Sequence, residues 1–225
     1  MPRHEKLLGR QRNGGLSLLR YMHPGEEGMK TLTTGMAFAM LTFAGAAQAS
    51  DCVDAKSAKA GFVLEKAGIS SEFRPAPGGM VAVANKYQSD SPQTQYLYAG
   101  LIEVFRDSDT GRLSMIPLGD LKKLFPLKAG AKSKTEFVRL SSKKAPQGTE
   151  TLALTVKGKD TYRLGDCKYN VLVVGETITG ESGNVIDTFT ALYSPDLQAV
   201  LARRYDEGTS AQSEVGFERI KPLAQ

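Results

Sequence analysis

The sequence predicts a mainly β protein built on an antiparallel sheet. From about residue 80 onward, apolar and polar residues alternate in one segment after another, and Gly, Pro, Asp and Ser separate these segments. No stretch between the segments has the length and periodicity of a crossover helix, so successive strands are expected to pair antiparallel. Periodicity alone leaves open a curved sheet, a half-barrel, a barrel or a sandwich.

Two short helices and eight strands are predicted. Residues 53–60 are rich in Ala and Lys and predict one or two helical turns. Residues 120–125 place apolar residues at i, i+3 and i+4, with Asp120 able to cap the helix and Pro126 ending it. The predicted strands are residues 80–87, 96–106, 113–117, 135–140, 149–156, 169–179, 185–193 and 198–205.

Residues 29–49 have the three parts of a secretory signal peptide. Lys30 supplies a positive charge, an apolar run of about 14 residues follows, and Ala47-Gln48-Ala49 provides the small residues that signal peptidase requires. The run is too short to span a bilayer. We therefore expect a mature chain that begins at Ser50 and forms a single β-rich domain over residues 50–225.

Residues 1–28 precede this signal and match no part of it. They are expected to be untranslated or a disordered leader, with Met29 as the true start, because Glu26-Glu27-Gly28 can be encoded by the purine-rich codons of a bacterial ribosome-binding site. Asp51 precedes Cys52 where a lipoprotein needs a small residue. The expected location is therefore periplasmic or secreted, by a Sec-type route, without a lipid anchor and without a membrane span after cleavage.

The composition of the mature chain restricts its chemistry. Six of the 29 Lys and Arg and three of the 24 Asp and Glu precede Ser50, which leaves a net charge of only +2 and no reason to expect a nucleic-acid partner. Both histidines, His4 and His23, also precede Ser50. The mature chain therefore lacks Ser-His-Asp and Cys-His catalysis and His-ligated metals, and no metal or other cofactor is predicted.

Cys52 and Cys167 are the two cysteines of the chain. Because an exported chain meets an oxidising compartment, we predict that they form a disulfide. A redox-active pair is the alternative, but such pairs are usually close in sequence.

Three segments together resemble a family. They are residues 124–130 (LFPLKAG), 165–169 (GDCKY) and 193–197 (YSPDL). The chain resembles exported bacterial domains of unknown function in which a long antiparallel sheet curls into a half-barrel, over roughly residues 124–205. The resemblance implies a curled, half-barrel or barrel-like sheet, and it supplies no catalytic residue.

Three groups of residues are candidates for function. Asp107, Asp109 and Gly111 resemble the start of a calcium loop but lack its later Glu, so a hairpin turn is favoured. A basic cluster, opposed only by Glu136, is a possible surface for anionic lipid or polymer, or alternatively a solvated face. Its members are Lys122, Lys123, Lys128, Lys132, Lys134, Arg139, Lys143 and Lys144. The third group contains the strand carboxylates Glu103, Glu176 and Asp187.

Three functions remain open at this point. A non-catalytic binding or interaction domain of the cell envelope is favoured, because the catalytic residue types are missing. A carrier that encloses a lipid or other apolar ligand is the first alternative, since a half-barrel can hold a cavity. A carboxylate-dependent hydrolase is the second, and it requires two of the strand carboxylates to face one cleft.

Overall fold

The computed structural model describes residues 52–88, 90–142 and 148–223, all within the compact unit Ala46–Gln225. The expected leader and signal peptide lie outside the described residues. Thirteen strands are present in the described part of the chain: β1 (Phe62–Lys66), β2 (Ile69–Ala76), β3 (Met80–Tyr87), β4 (Gln93–Tyr98), β5 (Ile102–Ser108), β6 (Gly111–Pro117), β7 (Lys132–Ser141), β8 (Thr149–Leu164), β9 (Cys167–Gly180), β10 (Val185–Ser194), β11 (Ala199–Tyr205), β12 (Ser213–Gly216) and β13 (Arg219–Pro222).

All thirteen strands form one antiparallel sheet. Strands β1 to β12 lie side by side in chain order, and β13 pairs with β1 at the opposite edge from β12. Only Phe217 and Glu218 separate β12 from β13, so the two edges of the sheet come close together. The sheet is therefore curled but not closed, which confirms the predicted fold class.

The helical segments are short. The described residues contain 3₁₀ turns at Ser57–Ala60, Pro77–Gly79 and Leu121–Leu124. The carboxylate of Asp120 accepts a hydrogen bond from the Lys122 amide at 3.0 Å, so the predicted cap is confirmed. Within residues 52–88, 90–142 and 148–223, no helix has the length and apolar character needed to cross a membrane.

The interior is divided between two apolar cores. The first core lies between strands β1, β2 and β3 on one side and the region from β9 to β11 on the other. It includes Phe62, Leu64, Phe73 and Leu201. The second core lies between strands β5, β6 and β7 on one side and strands β8, β9 and β10 on the other. Val171 belongs to the first core and Leu172 to the second. Because successive side chains of a strand point to opposite faces, the middle of β9 is covered on both sides.

The prediction of one strand over residues 96–106 is wrong. The chain reverses between β4 and β5, where Ala99 and Gly100 have φ values of 49° and 70°. The reversal packs against the turn between β10 and β11, and the Tyr193 hydroxyl donates a hydrogen bond to the Ala99 carbonyl at 2.7 Å. A tertiary contact, which local alternation does not reveal, therefore determines this turn.

The disulfide between Cys52 and Cys167 is present, as predicted. It ties the segment before β1 to the first residue of β9 and spans 115 residues. On the chain-entropy model, closing so long a loop stabilises the fold by about 4 to 5 kcal/mol.

Candidate ligand-binding cleft

A cleft of about 190 Å³ opens beside the second core. Its apolar lining includes Leu113, Met115, Phe137, Leu152 and Ile178. Seven charged side chains also line the cleft: Glu103, Arg106, Arg139, Glu150, Glu176, Asp187 and Arg203. This density of charge next to a core is unusual, because charged side chains are rarely buried without partners.

The pairing register explains why these side chains share one face of the sheet. Glu176 on β9 lies opposite Phe189 on β10, and Asp187 precedes Phe189 by two residues. Glu150 on β8 lies opposite Phe137 on β7. Since residues two apart in a strand point to the same face, adjacent strands place carboxylates and apolar groups on the same face of the sheet.

Glu176 and Glu150 are the two buried carboxyl groups of the cleft, and Glu176 is the one without an ion-pair partner among the described residues. Only 5% of the residue is exposed, and its Oε1 atom has no hydrogen-bond partner among the described residues. Burial raises the pKa of this carboxyl to about 7, while the charge of Arg203 lowers it and that of Asp187 raises it further. Near neutral pH, Glu176 therefore exchanges readily between its protonated and ionised forms.

Two ion pairs also line the cleft. The Arg106 Nη2 atom is 2.6 Å from Glu103 Oε1, and Arg106 Nε also donates to the same carboxylate. The Arg139 Nη1 atom is 3.0 Å from Glu150 Oε1. Each guanidinium is therefore neutralised by a glutamate of its own.

The third guanidinium lies against an aromatic ring. The Arg203 guanidinium carbon is 4.8 Å from the centroid of the Phe189 ring, a cation–π geometry. Tyr205 flanks the same ring at a centroid distance of 6.0 Å. Asp187 is exposed on the neighbouring strand, so the outer part of the cleft carries both charge signs.

A second cavity of about 210 Å³ lies next to the cleft, and Arg203 lines both. A chain of hydrogen bonds connects the two spaces across β2 to β5. The Ser71 hydroxyl donates to Asn85 Oδ1 at 2.6 Å, Asn85 Nδ2 donates to Gln95 Oε1 at 3.3 Å, and Gln95 Nε2 donates to Glu103 Oε2 at 2.9 Å. This network holds Glu103 in place and gives the second cavity a polar wall.

The structure brings the three strand carboxylates of the sequence analysis to one cleft. Glu103, Glu176 and Asp187 all line it, although Glu103 is also held by Arg106. Arg106, Glu150 and Arg203 were not among the predicted functional residues, and Arg139 was predicted only as a member of the basic cluster. A signal was present, however, since several of these charges occupy strand positions that alternate in phase with buried apolar residues.

The residues of the predicted basic cluster do not all share one surface. Lys122, Lys123, Lys128, Lys132 and Lys134 are exposed. Arg139 points to the opposite face of β7 from Lys132 and Lys134, because it lies an odd number of residues away and pairs with Glu150 in the cleft. Lys143 and Lys144 lie outside the described residues. An anionic partner for the exposed lysines stays a prediction.

The segment that resembled a calcium loop forms the hairpin between β5 and β6. Asp107 Oδ2 accepts from Arg112 Nε at 3.1 Å, and the hydroxyls of Ser108 and Thr110 are hydrogen-bonded at 2.8 Å. Across the described ranges, no group of three or more His, Cys, Asp or Glu side chains is arranged to hold a metal ion.

Comparison with known proteins finds similarity to a solved structure and to no known family. No protein-family model matches the chain, and no curated protein matches it. The chain is similar to the crystal structure of the hypothetical lipoprotein YmcC from Escherichia coli (K12), with a TM-score of 0.45 and 13% sequence identity. The match covers 77% of this chain and 92% of that one.

Proposed function

We propose that the mature chain is an exported, non-catalytic domain of the cell envelope that binds a small polar ligand in the charged cleft. One observation carries the proposal: Glu176 is buried, lines the cleft and leaves Oε1 without a partner among the described residues. Leaving a buried acceptor unsatisfied costs about 1 to 3 kcal/mol, or more for a charged group. A ligand that supplies a hydrogen-bond donor would recover that free energy.

The export part of the proposal rests on different features. Residues 29–49 have the pattern of a cleaved signal peptide, and the Cys52–Cys167 disulfide suits an oxidising compartment. No function as an envelope domain follows from the fold alone, because one fold hosts many functions.

The geometry supports a polar ligand better than an apolar one. Seven charged side chains line the cleft, whereas pockets for apolar ligands are lined predominantly by hydrophobic and aromatic side chains. Burying an acyl chain there would remove water from Asp187 and leave Glu176 Oε1 without a donor. The carrier of an apolar ligand is therefore the weaker candidate.

Mass spectrometry of protein from the periplasm of its own host tests the proposal. The denatured, non-reduced mass should fit residues 50–225 less two hydrogens, and the native mass should include a ligand. The Glu176→Gln variant should lose that added mass, and the matched Glu136→Gln variant on the exposed face of β7 should keep it. A ligand retained equally by both variants would remove the cleft from the proposal.

A hydrolase is the second candidate, favoured by the arrangement of Glu176 and Asp187 on the same face of adjacent strands. A carboxyl group whose pKa is raised to about 7 is suited to act as a general acid near neutral pH. Titration of the Glu176 side-chain carbon by ¹³C NMR, assigned with Glu176→Gln, tests this role. A midpoint near 7 would support the acid, and a midpoint near the ordinary value of a glutamate would exclude it.

A further inference from the structure

The charges of the cleft do not balance. Four carboxylates, Glu103, Glu150, Glu176 and Asp187, line it together with three guanidinium groups. Arg106 and Arg139 are each paired with a glutamate, at 2.6 Å and 3.0 Å. Glu176 and Asp187 are thus left with the single charge of Arg203, whose guanidinium lies over the Phe189 ring. With both carboxylates ionised, the cleft carries one excess negative charge.

The lining around Glu176 adds an apolar requirement. Leu152 and Phe137 are 7% and 2% exposed, and Ile178 and Met115 are packed against the same core. A ligand that reaches the Glu176 carboxylate must therefore pass groups that favour contact with carbon rather than with water. A short alkyl chain that ends in a positive charge meets both requirements.

We propose that the ligand of this cleft presents an alkylammonium group, as in a lysine side chain or a polyamine, to Oε1 of Glu176. This inference rests on the proposed function. The ammonium donates a charge-assisted hydrogen bond to the unpartnered oxygen, and its alkyl chain lies along Leu152 and Ile178. The added charge offsets the excess carboxylate, so the buried group becomes paired rather than protonated.

The alternatives fit the same cleft less well. A neutral hydroxyl satisfies the hydrogen bond of Oε1 but leaves the excess negative charge in place. An anion is attracted by Arg203 but approaches Glu176 and Asp187, and two ion-paired arginines have little charge left to offer. The arrangement therefore favours a cation over a neutral or anionic group of equal size.

Three probes of four carbon atoms each test the inference: n-butylammonium, 1-butanol and butyrate. Their dissociation constants for the mature chain are measured by NMR titration at pH 8. We expect n-butylammonium to bind at least about tenfold more tightly than 1-butanol, which corresponds to about 1.4 kcal/mol. Glu176→Gln should abolish this preference. Glu136→Gln, a matched change on the exposed face of β7, should retain it.

The preference should also depend on pH. The charged groups that line the cleft with Glu176 are Arg203 from β11, Asp187 from β10, and the ion pairs supplied by β5, β7 and β8. Glu176 also lines a neighbouring cavity whose charged groups are Lys157, Arg204, Asp206 and Glu207. With a pKa of about 7, Glu176 is ionised at pH 8 and protonated at pH 5.5. The affinity for n-butylammonium should fall by roughly thirtyfold between these values, and the affinity for 1-butanol should change little.

The outcomes separate this inference from the proposed function. If 1-butanol binds as tightly as n-butylammonium and both depend on Glu176, the polar-ligand cleft stands and the cationic group is excluded. Tighter binding of butyrate likewise overturns the inference. If no probe shifts the resonances of residues that line the cleft, both the inference and the proposed function fail.

Discussion

At the scale of single residues, Glu176 couples folding to pH. Its pKa is raised from the 4.5 of an ordinary glutamate to about 7, mainly by burial. The folded chain therefore binds the proton more tightly than the unfolded chain. The contribution of Glu176 to the free energy of unfolding is fully present below about pH 4.5 and is lost as the pH rises through about 7.

We expect the free energy of unfolding of the wild type to fall by about 3 kcal/mol more than that of Glu176→Gln between pH 4.5 and pH 8. Urea unfolding of both proteins across this range measures the difference. Because other groups titrate equally in both proteins, only the difference between the two curves bears on Glu176. Parallel curves would contradict the raised pKa.

Gly100 provides a second prediction at this scale. It has a φ of 70°, and a Cβ atom at this position would overlap the backbone of Gln198 in the turn between β10 and β11. Gly130 also has a positive φ, 81°, but a Cβ atom there would meet nothing within 4 Å. At both positions a residue other than glycine would be conformationally strained, but only at Gly100 would its Cβ atom also overlap another loop.

Gly130→Ala should cost about 1 kcal/mol, the penalty of a left-handed backbone conformation alone. Gly100→Ala should cost at least about 2 kcal/mol more, because two loops must also separate. Thermal and urea unfolding of the two variants measure both values. Equal losses would show that the contact between the loops contributes little.

At the scale of elements, the sequence predicted strands well where alternation was regular. Residues 80–87 were predicted as a strand and form β3, and the strands from β6 to β11 begin within three residues of the predicted positions. Strand β8 was predicted to end at residue 156 but continues to Leu164. The strands β1, β2, β12 and β13 were missed. Of these, β12 and β13 have only four residues each, and a period of two is barely visible over four positions.

The cleft itself was only partly predictable. Glu103, Glu176 and Asp187 could be recognised as charged residues within strands, but their meeting depends on register. The shifts in register between Tyr96 and Leu97 and between Val185 and Asp187 determine which side chains lie on the face that lines the cleft. Bulges of this kind leave no reliable local pattern in a single sequence.

The cross-strand pair of Arg139 on β7 and Glu150 on β8 leads to a prediction about elements. The Glu150 side chain is only 10% exposed, whereas that of Glu103, paired with Arg106, is 23% exposed. Arg139→Gln should cost about 2 to 4 kcal/mol, because it leaves a buried carboxylate unpaired, and Arg106→Gln should cost less.

The double variant Arg139→Gln with Glu150→Gln tests the reason for that loss. Removing the second charge should recover at least half of the stability lost in the single variant, as measured by urea unfolding. A double variant no more stable than Arg139→Gln would show that packing of the arginine side chain, rather than its charge, is responsible.

At the scale of the whole molecule, the curled sheet depends on the last described strand. Strands β2 to β12 pair only with neighbours in sequence, whereas β13 returns to β1 across the opening between the edges. The link carries tertiary contacts: the Phe217 ring lies 6.5 Å from the Phe73 ring, edge to face, and the Tyr162 hydroxyl donates to the Phe217 carbonyl at 3.1 Å.

Ending the chain after Gly216 should therefore loosen both edges of the sheet. The truncation removes Phe217 and Ile220, which pack against the first core, and breaks the ion pair between Lys221 and Glu65. We expect a loss of at least about 3 kcal/mol, from two partly buried apolar side chains and the ladder of β13. An exposed β1 edge should also favour self-association, which size-exclusion chromatography detects. A chain ending after Leu223 retains all of these contacts and should unfold at the wild-type urea concentration. Equal midpoints for the two truncations would show that the sheet keeps its curl without β13.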